Sequence, residues 1–289
     1  MNFNFVRYFR WAVLLSIILT TYSVFIFLYK GLNYSVDFTG GIVMELTANN
    51  QINRDILEQK LKPFVKNLSE IKKVQNHYIT DRELFLVRVG GAENNVKNLS
   101  RMVLDSLKEY NPTIESMQYI GPKLGSELLH RSYFAIIVAL LGIMIYTWLR
   151  FKMEFAIGVL ISLVHDAVVT VGFCSTFGYE FDSASIAALL TVIGYSINDS
   201  VVIYDRIREN SKSNVPLSDV INSSINQTLS RTTMTVASTI IVCVVLLLFG
   251  DEKLRSFSYI TTFGIAFGTY SSIFISAPIV LLFSPKLKL

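Results

Sequence analysis

The sequence predicts a polytopic α-helical membrane protein with six transmembrane helices. One extracytoplasmic α+β domain, ferredoxin-like in its βαββαβ order, interrupts them after the first. Three observations carry this. The chain has 289 residues, 52% hydrophobic and only 17% charged, where a soluble chain carries about 25% charged residues. The deficit is uneven: residues 30–130 hold 13 Lys/Arg and 12 Asp/Glu, while the longer stretch 131–289 holds 11 and 10. Six apolar runs are long enough to cross a bilayer, and the charged region alternates between strand and helix periods.

The same composition excludes an ordinary globular enzyme, and disorder, collagen and coiled coil with it. The net charge of +4 comes with no dense Lys/Arg cluster, so nucleic acid is not an expected partner. Cys174 and Cys243 both lie in apolar runs, which leaves the charged domain without a disulfide framework.

A crossing helix needs about 20 mostly apolar residues for roughly 30 Å of hydrocarbon. The runs that qualify are Trp11–Leu28, Tyr133–Leu149, Phe155–Phe177, Ala184–Tyr204, Thr232–Phe249 and Tyr259–Phe283. Arg7 and Arg10 precede the first as in a signal peptide, but no small-x-small cleavage site follows it. It therefore reads as an uncleaved span. The expected organisation is 1–29 (N-terminus and first span), 30–131 (outside domain) and 132–289 (spans two to six).

Within the outside domain, Ile42–Thr47 reads as a strand and Asn53–Lys66 as a helix with Ile56, Leu57, Leu61 and Phe64 on one face. Lys72–Ile79 and Leu84–Val89 read as strands joined through Thr80-Asp81-Arg82. Asn94–Tyr110 has Val96, Leu99, Val103 and Leu107 at helical spacing, and Thr113–Ile120 is a last strand after Pro112. This order is that of a split-βαβ unit, a scaffold that hosts many functions. His77 and His130 stand alone and read as structural.

Lys and Arg in short loops set orientation. With the N-terminus in the cytoplasm, Arg7, Arg10, Arg150, Lys152, Arg206, Arg208, Lys212, Arg231, Lys286 and Lys288 lie inside. Only Lys253 and Arg255 lie in the short outside loops, where Asp251 and Glu252 offset them. Both termini are then cytoplasmic, and the charged domain is outside.

Ionisable residues within spans each cost a few kcal/mol at the bilayer centre and demand a partner or a wet path. Asp166 follows His165 in span three, Asp199 lies in span four, and Arg231 opens span five. Asn198 or Asp199, Val202 and Arg206 share one face of span four. Thr228, Arg231, Thr235 and Ser238 form a stripe on span five, and two such stripes are expected to line a hydrated seam. A proton-accepting carboxylate beside a modulating cation is the chemistry this suggests, with helix-gluing polar pairs as the alternative. Asp205 and Arg206 at the inner interface read equally well as a structural salt bridge. In span six, Gly264, Gly268, Ser271, Ser272 and Ser276 are small residues that allow close helix packing, and Gly194, Ser196 and Asn198 do similar work beside Asp199. No phosphate loop GxxxxGK[ST], no HExxH and no GxSxG occurs. An ion gradient is thus the expected energy source, with no enzyme activity, no cofactor and no metal.

Several strings carry a family resemblance. Val36-Asp37-Phe38-Thr39-Gly40-Gly41 follows span one, and Tyr119-Ile120-Gly121-Pro122-Lys123-Leu124-Gly125 precedes span two. His165-Asp166 lies in span three, Ser196-Ile197-Asn198-Asp199-Ser200-Val201-Val202 and Asp205 to Asn210 in span four. Ser230-Arg231-Thr232 and Gly268-Thr269-Tyr270-Ser271-Ser272 complete the set. Together they resemble the SecD/SecF family of protein-export membrane proteins, within the RND superfamily, over nearly the whole chain. Ser200 stands where Thr is frequent in the family.

The resemblance implies an RND-type half-transporter that pairs with a similar six-span SecD-like half. It implies association with the SecYEG channel and, through it, with SecA, in the bacterial cytoplasmic membrane. The pair would use the proton-motive force to assist late export of unfolded preproteins. By the family's pattern Asp199 matches the carboxylate of proton transport and Arg231 the arginine near it; Asp166 matches a polar position of less settled role. Asp37, Gly40 and Gly41 would sit at the base of the outside domain, where glycine's backbone freedom suggests a flexible joint. Two rival readings are a small-molecule or lipid exporter of the same superfamily and an intramembrane protease. Such exporters are near-duplicated twelve-span chains with large porter domains, so six spans and one outside domain argue against the first, and the missing YD and GxGD arrangement against the second.

Overall fold

A computed structural model of the chain describes residues 3–49, 52–63, 68–74, 82–90, 96–211 and 215–283. Among them, six helices are long and apolar enough to cross a membrane. They are α1 (Phe9–Lys30, after a short 3-10 turn at Val6–Tyr8), α5 (Pro122–Arg150), α6 (Met153–Phe177), α7 (Ser183–Asn210) and α8 (Leu217–Phe249). The sixth runs through α9 (Glu252–Ser271), a π-helical turn at Ser272–Ser276 and α10 (Ala277–Phe283).

Each helix is longer than its apolar run. The excess is largest in α5, which starts at Pro122 rather than Tyr133, and in α8, which starts at Leu217 rather than Thr232. Hydropathy detects only the lipid-facing part, whereas backbone hydrogen bonding continues until a terminator appears. The ends are built locally. Asp182 caps α7 by accepting from the Ser185 amide at 2.7 Å, while the Ser185 hydroxyl accepts from the Asp182 amide at 3.1 Å, a reciprocal capping box. Gly178, in the left-handed region, closes α6.

The chain divides into two units, residues 34–133 and residues 1–33 with 134–289. In the second unit α6, α7 and the α9–α10 span are about half buried, while α1, α5 and α8 expose most of their apolar side chains. The core joins Phe155, Val159 and Leu163 of α6 to Ile193, Ile203, Tyr204 and Ile207 of α7, with Ile221 and Ile225 of α8 and Ala277 and Val280 of α10. Close packing of span six is real: a Cβ on Gly264 would stand 2.2 Å from Val192 Cγ2.

The first unit holds two-residue β1 (Asn33–Tyr34, which straddles the division), α2 (Val36–Thr39), β2 (Gly41–Asn49), α3 (Arg54–Leu61), β3 (Leu68–Val74) and β4 (Arg82–Gly90). Then come α4 (Val96–Ser106), a 3-10 turn at Lys108–Tyr110 and β5 (Thr113–Ile120); a last two-residue strand, β6 (Glu180–Phe181), belongs to the membrane unit. The sheet order is β3-β4-β2-β5 with antiparallel neighbours, which is the expected βαββαβ topology. Pairing of Ile42 with Val89, Met44 with Val87 and Leu46 with Phe85 sends alternate side chains to one face. There they meet Leu57, Leu61, Leu99, Val103 and Leu107 from the helices. Asn53 begins α3 as its N-cap, accepting from the Ile56 amide at 2.9 Å.

β3 differs from its expected span of Lys72–Ile79. It starts earlier in sequence, at Leu68, where buried Ile71 pairs with Val87 and anchors the register. Phe64, residues 75–79 of that expected strand with His77 among them, Thr80 and Asp81 of the expected turn, Lys212, Lys286 and Lys288 lie outside the described residues.

Candidate functional site

Asp166 lies at the middle of α6, with no exposed surface. Two hydroxyls from other helices reach its Oδ2: Ser196 of α7 donates at 2.6 Å and Ser271 of α9 at 2.7 Å. Its Oδ1 is 3.1 Å from His165 Nδ1, and Ser162 one turn earlier donates to the Ser271 hydroxyl at 3.0 Å. Three helices thus converge on one carboxylate. Gly268 makes this possible, since a Cβ there would stand 3.2 Å from Ser196 Cβ and 3.7 Å from Asp166 Oδ2. Charge-assisted hydrogen bonds of this length are the strong kind. His165 Nε2 is buried and has no hydrogen-bond partner.

Asp199 is also buried, three residues beyond Ser196 on α7, and accepts from Thr269 Oγ1 of α9 at 3.4 Å. Arg231 of α8 attracts it through space without a direct ion pair. So α9 supplies a hydroxyl to each carboxylate, from positions 269 and 271. Asn198 points the other way. It and Gly194 are exposed, on a stripe with Ser183, Ala187 and the half-buried Thr191.

The span-five stripe corrects one expectation. Thr228 is buried, Thr235 is half-buried, but Arg231 and Ser238 are exposed on the chain's own surface. Their hydroxyls turn back to α8 carbonyls: Thr228 to Ser224 at 2.9 Å, Thr235 to Arg231 at 3.2 Å and Ser238 to Thr235 at 2.8 Å. The α7–α8 contact is closed by Tyr195, which donates to the Thr235 carbonyl at 3.1 Å and bonds the Thr239 hydroxyl. A stripe with spacings of 3, 4 and 3 drifts around a helix, and here it drifts from the interior to the surface.

Asp205 and Arg206 do not pair with each other. Asp205 accepts from Arg150 at 2.9 Å and Arg206 pairs with Glu209 at 2.9 Å, in half-exposed positions. These are surface ion pairs, worth about 0–1 kcal/mol.

At the other unit, Ser35 caps α2, accepting from the Asp37 amide at 3.0 Å, and Asp37 lies half-buried in its first turn. Gly40 and Gly41 have φ of 74° and 147°. A Cβ on Gly40 would be 2.6 Å from Pro122 Cα, one on Gly41 2.2 Å from the Val89 carbonyl, and one on Gly125 2.7 Å from the Phe38 carbonyl. The glycines are there for close approach at unusual φ. α2 and the start of β2 are clamped against the first turn of α5.

The sequence suggests helix packing for both Ser196, beside Asp199, and Ser271. Both hydroxyls instead serve Asp166, and Thr269 was passed over. The Gly268-Thr269-Tyr270-Ser271-Ser272 string held the signal, since hydroxyls beside a glycine on a packed helix have a neighbour within reach.

Six spans, an interior with two carboxylates held by hydroxyls, and one α+β domain after the first span define a helical membrane half-transporter of the RND type. The family model for protein export membrane protein SecD/SecF, C-terminal, matches residues 101–286, and that for the SecD/SecF GG motif matches residues 25–52. The chain belongs to the SecD/SecF family. It is 39% identical over 291 residues to protein translocase subunit SecF of Rickettsia bellii (strain OSU 85-389), covering 99% of this chain and 94% of that one. Identity to the subunit of the same name from Rickettsia felis is 40% over 294 residues, with 99% and 93% covered. The crystal structure of SecDF, a translocon-associated membrane protein from Thermus thermophilus, superposes with a TM-score of 0.84 at 34% identity. SecDF in a super-membrane-facing form gives 0.73, also at 34%. In both cases 98% of this chain is matched to 39% of the SecDF chain, so it spans about two fifths of their length.

Proposed function

We propose that this chain is the SecF-type half of a SecD–SecF complex that draws on the proton-motive force to assist late steps of preprotein export. The observation that carries the reading is the burial of Asp199 within a span, beside the Thr269 hydroxyl and in the field of Arg231. Such a carboxylate is costly to keep in a bilayer and changes charge when it takes a proton. Protonation removes its attraction to Arg231, the helices around it repack, and the α+β domain is driven through its cycle while it engages substrate. Deprotonation towards the cytoplasm resets it. Asp166 is the second proton-coupling residue, held by Ser196 and Ser271.

The stripe of Ser183, Ala187, Gly194 and Asn198 exposed on α7, and the exposed Arg231 of α8, support a six-span partner on this chain's surface. Small and polar residues are what helix–helix contacts in lipid select. The wider assembly consists of SecYEG, SecA and unfolded preprotein. Ten Lys/Arg against two support cytoplasmic termini and an extracytoplasmic domain in a bacterial inner membrane.

Export measured in vesicles under imposed pH or Na⁺ gradients tests the reading. Asp199→Asn is expected to assemble with the SecD-like half and to lose gradient-dependent export. Normal export by that variant sinks the proposal, and response to a Na⁺ gradient alone replaces the proton with sodium.

A further inference from the structure

Thr269 and Ser271 lie two residues apart at the end of α9, immediately before the π-helical turn at Ser272–Ser276. Each has one hydroxyl proton and two acceptors within reach. Ser271 Oγ is 2.7 Å from Asp166 Oδ2 and 2.9 Å from the Gly268 carbonyl. Thr269 Oγ1 is 3.4 Å from Asp199 Oδ2 and 3.0 Å from the Ile265 carbonyl. One acceptor of each pair is a carboxylate on a neighbouring helix, and the other is the backbone of α9 itself.

A charged carboxylate is the stronger acceptor and draws the hydroxyl outward. A protonated one gains an O–H donor and keeps only uncharged, weaker acceptor capacity, so the balance shifts toward the hydroxyl's own helix carbonyl. We propose that Thr269 and Ser271 are positioning residues: a two-point hydroxyl latch that holds the end of α9 to α6 and α7 when the carboxylates are charged and releases it when they are protonated. This rests on the proton-coupling reading above and adds to it the element that responds.

The groups that act on the carboxylates are His165 on Asp166 and Arg231 on Asp199, together with Ser162 behind Ser271. Three features place the response in span six. The latch sits at an α-to-π transition, the kind of irregularity found at functional sites. The Ser272 hydroxyl already donates to the Thr269 carbonyl at 2.9 Å. At the last residue of the turn, Ser276 is bonded by the Tyr204 hydroxyl of α7, which anchors the far end while the near end switches. Release of the latch therefore changes the register between the two ends of one span.

The test compares variants that delete the hydroxyl with variants that keep it, in the complete complex in vesicles. Ser271→Ala is expected to lower gradient-dependent export about tenfold, the factor that corresponds to one charge-assisted hydrogen bond of about 1.4 kcal/mol, and Thr269→Val, whose contact is the longer one at 3.4 Å, about threefold. They are also expected to change its pH profile, and Thr269→Ser and Ser271→Thr to restore both. Wild-type export by the deletion variants overturns the latch, as does equal failure of the hydroxyl-keeping variants, which would assign the positions to packing. Infrared difference spectra across a pH step, recorded on the chain in lipid nanodiscs, decide the matter if a variant fails to assemble. The carboxyl C=O band must move in the deletion variants and return in the conservative ones, and an unmoved band overturns the latch. Normal export by Asp199→Asn removes the proton-coupling reading itself. Loss of export in Asp199→Asn with silent Thr269→Val and Ser271→Ala removes only the latch.

Discussion

In the α+β domain the side chains shut away from solvent are mostly apolar, among them Ile42, Met44, Leu46, Leu57, Leu61, Phe85 and Leu107, with Ser35, Thr47 and Arg88 as polar exceptions. In the membrane unit Ser162, Asp166, Ser196, Ser271 and Ser276 are buried to the same degree, while Trp11, Leu28 and Phe249 are more than 70% exposed. One chain thus follows two rules for what goes inside, each set by its solvent. Water drives apolar groups into the domain's core. Hydrocarbon gives apolar groups no such drive, so the membrane unit uses its interior for polar groups that lipid would not tolerate. The membrane unit has an apolar core as well, through Phe155, Leu163 and Ile203, so it is a buried carboxylate with its hydroxyls, rather than burial alone, that marks chemistry there.

The largest expected effect tests this contrast by putting a carboxylate where the domain has none. Leu46→Asp places an unpaired charge among Ile42, Met44 and Phe85 and should cost about 4 kcal/mol or more, unfolding residues 34–133 in limited proteolysis. Asp166→Asn, in the membrane unit, should leave the helices intact in the same assay. Resistance to protease in Leu46→Asp would break the comparison.

Next comes Gly41→Ala. At φ 147° and 2.2 Å from a backbone oxygen, a methyl group should cost about 1–3 kcal/mol in thermal unfolding. An unchanged melting temperature would restore the flexible-joint view of this glycine.

Ser196→Ala removes one of the two hydroxyl donors to Asp166 Oδ2. Its effect on stability should be near 1 kcal/mol, with a larger effect on gradient-dependent export than on the melting curve. Equal effects on both would make the serine a structural residue like those of the domain core. Smallest of all, Arg150→Ala breaks a half-exposed ion pair with Asp205 and should shift stability by less than about 1 kcal/mol; a larger loss would show that the surface pair is coupled to the interior.

The spans and the βαββαβ order were legible because both are written in local periods of hydropathy. Thr113–Ile120 could be placed residue for residue, and Asn53 was visible as the start of α3. The longer reach of α5 and α8 was not legible, since polar turns continue a helix without changing its hydropathy signal. The earlier start of β3, at Leu68, was not legible because a register anchored by Ile71 against Val87 is a tertiary fact. In the site, Asp166 and Asp199 stood out as carboxylates in apolar runs. Which hydroxyl serves which carboxylate did not, because Ser196 shares a helix with Asp199 yet turns to Asp166. Arg231 had no sequence mark to say that it lies on the surface of the single chain.

That exposure has a consequence for the life of the protein. A copy released into the bilayer alone presents the Arg231 guanidinium and the Asn198 amide on a bare surface, each a few kcal/mol from comfort there. Such a copy carries polar groups that lipid does not satisfy. Its half-life in a pulse-chase should lengthen when the six-span partner is made alongside it, so that the partner's supply sets how much of this chain a cell retains.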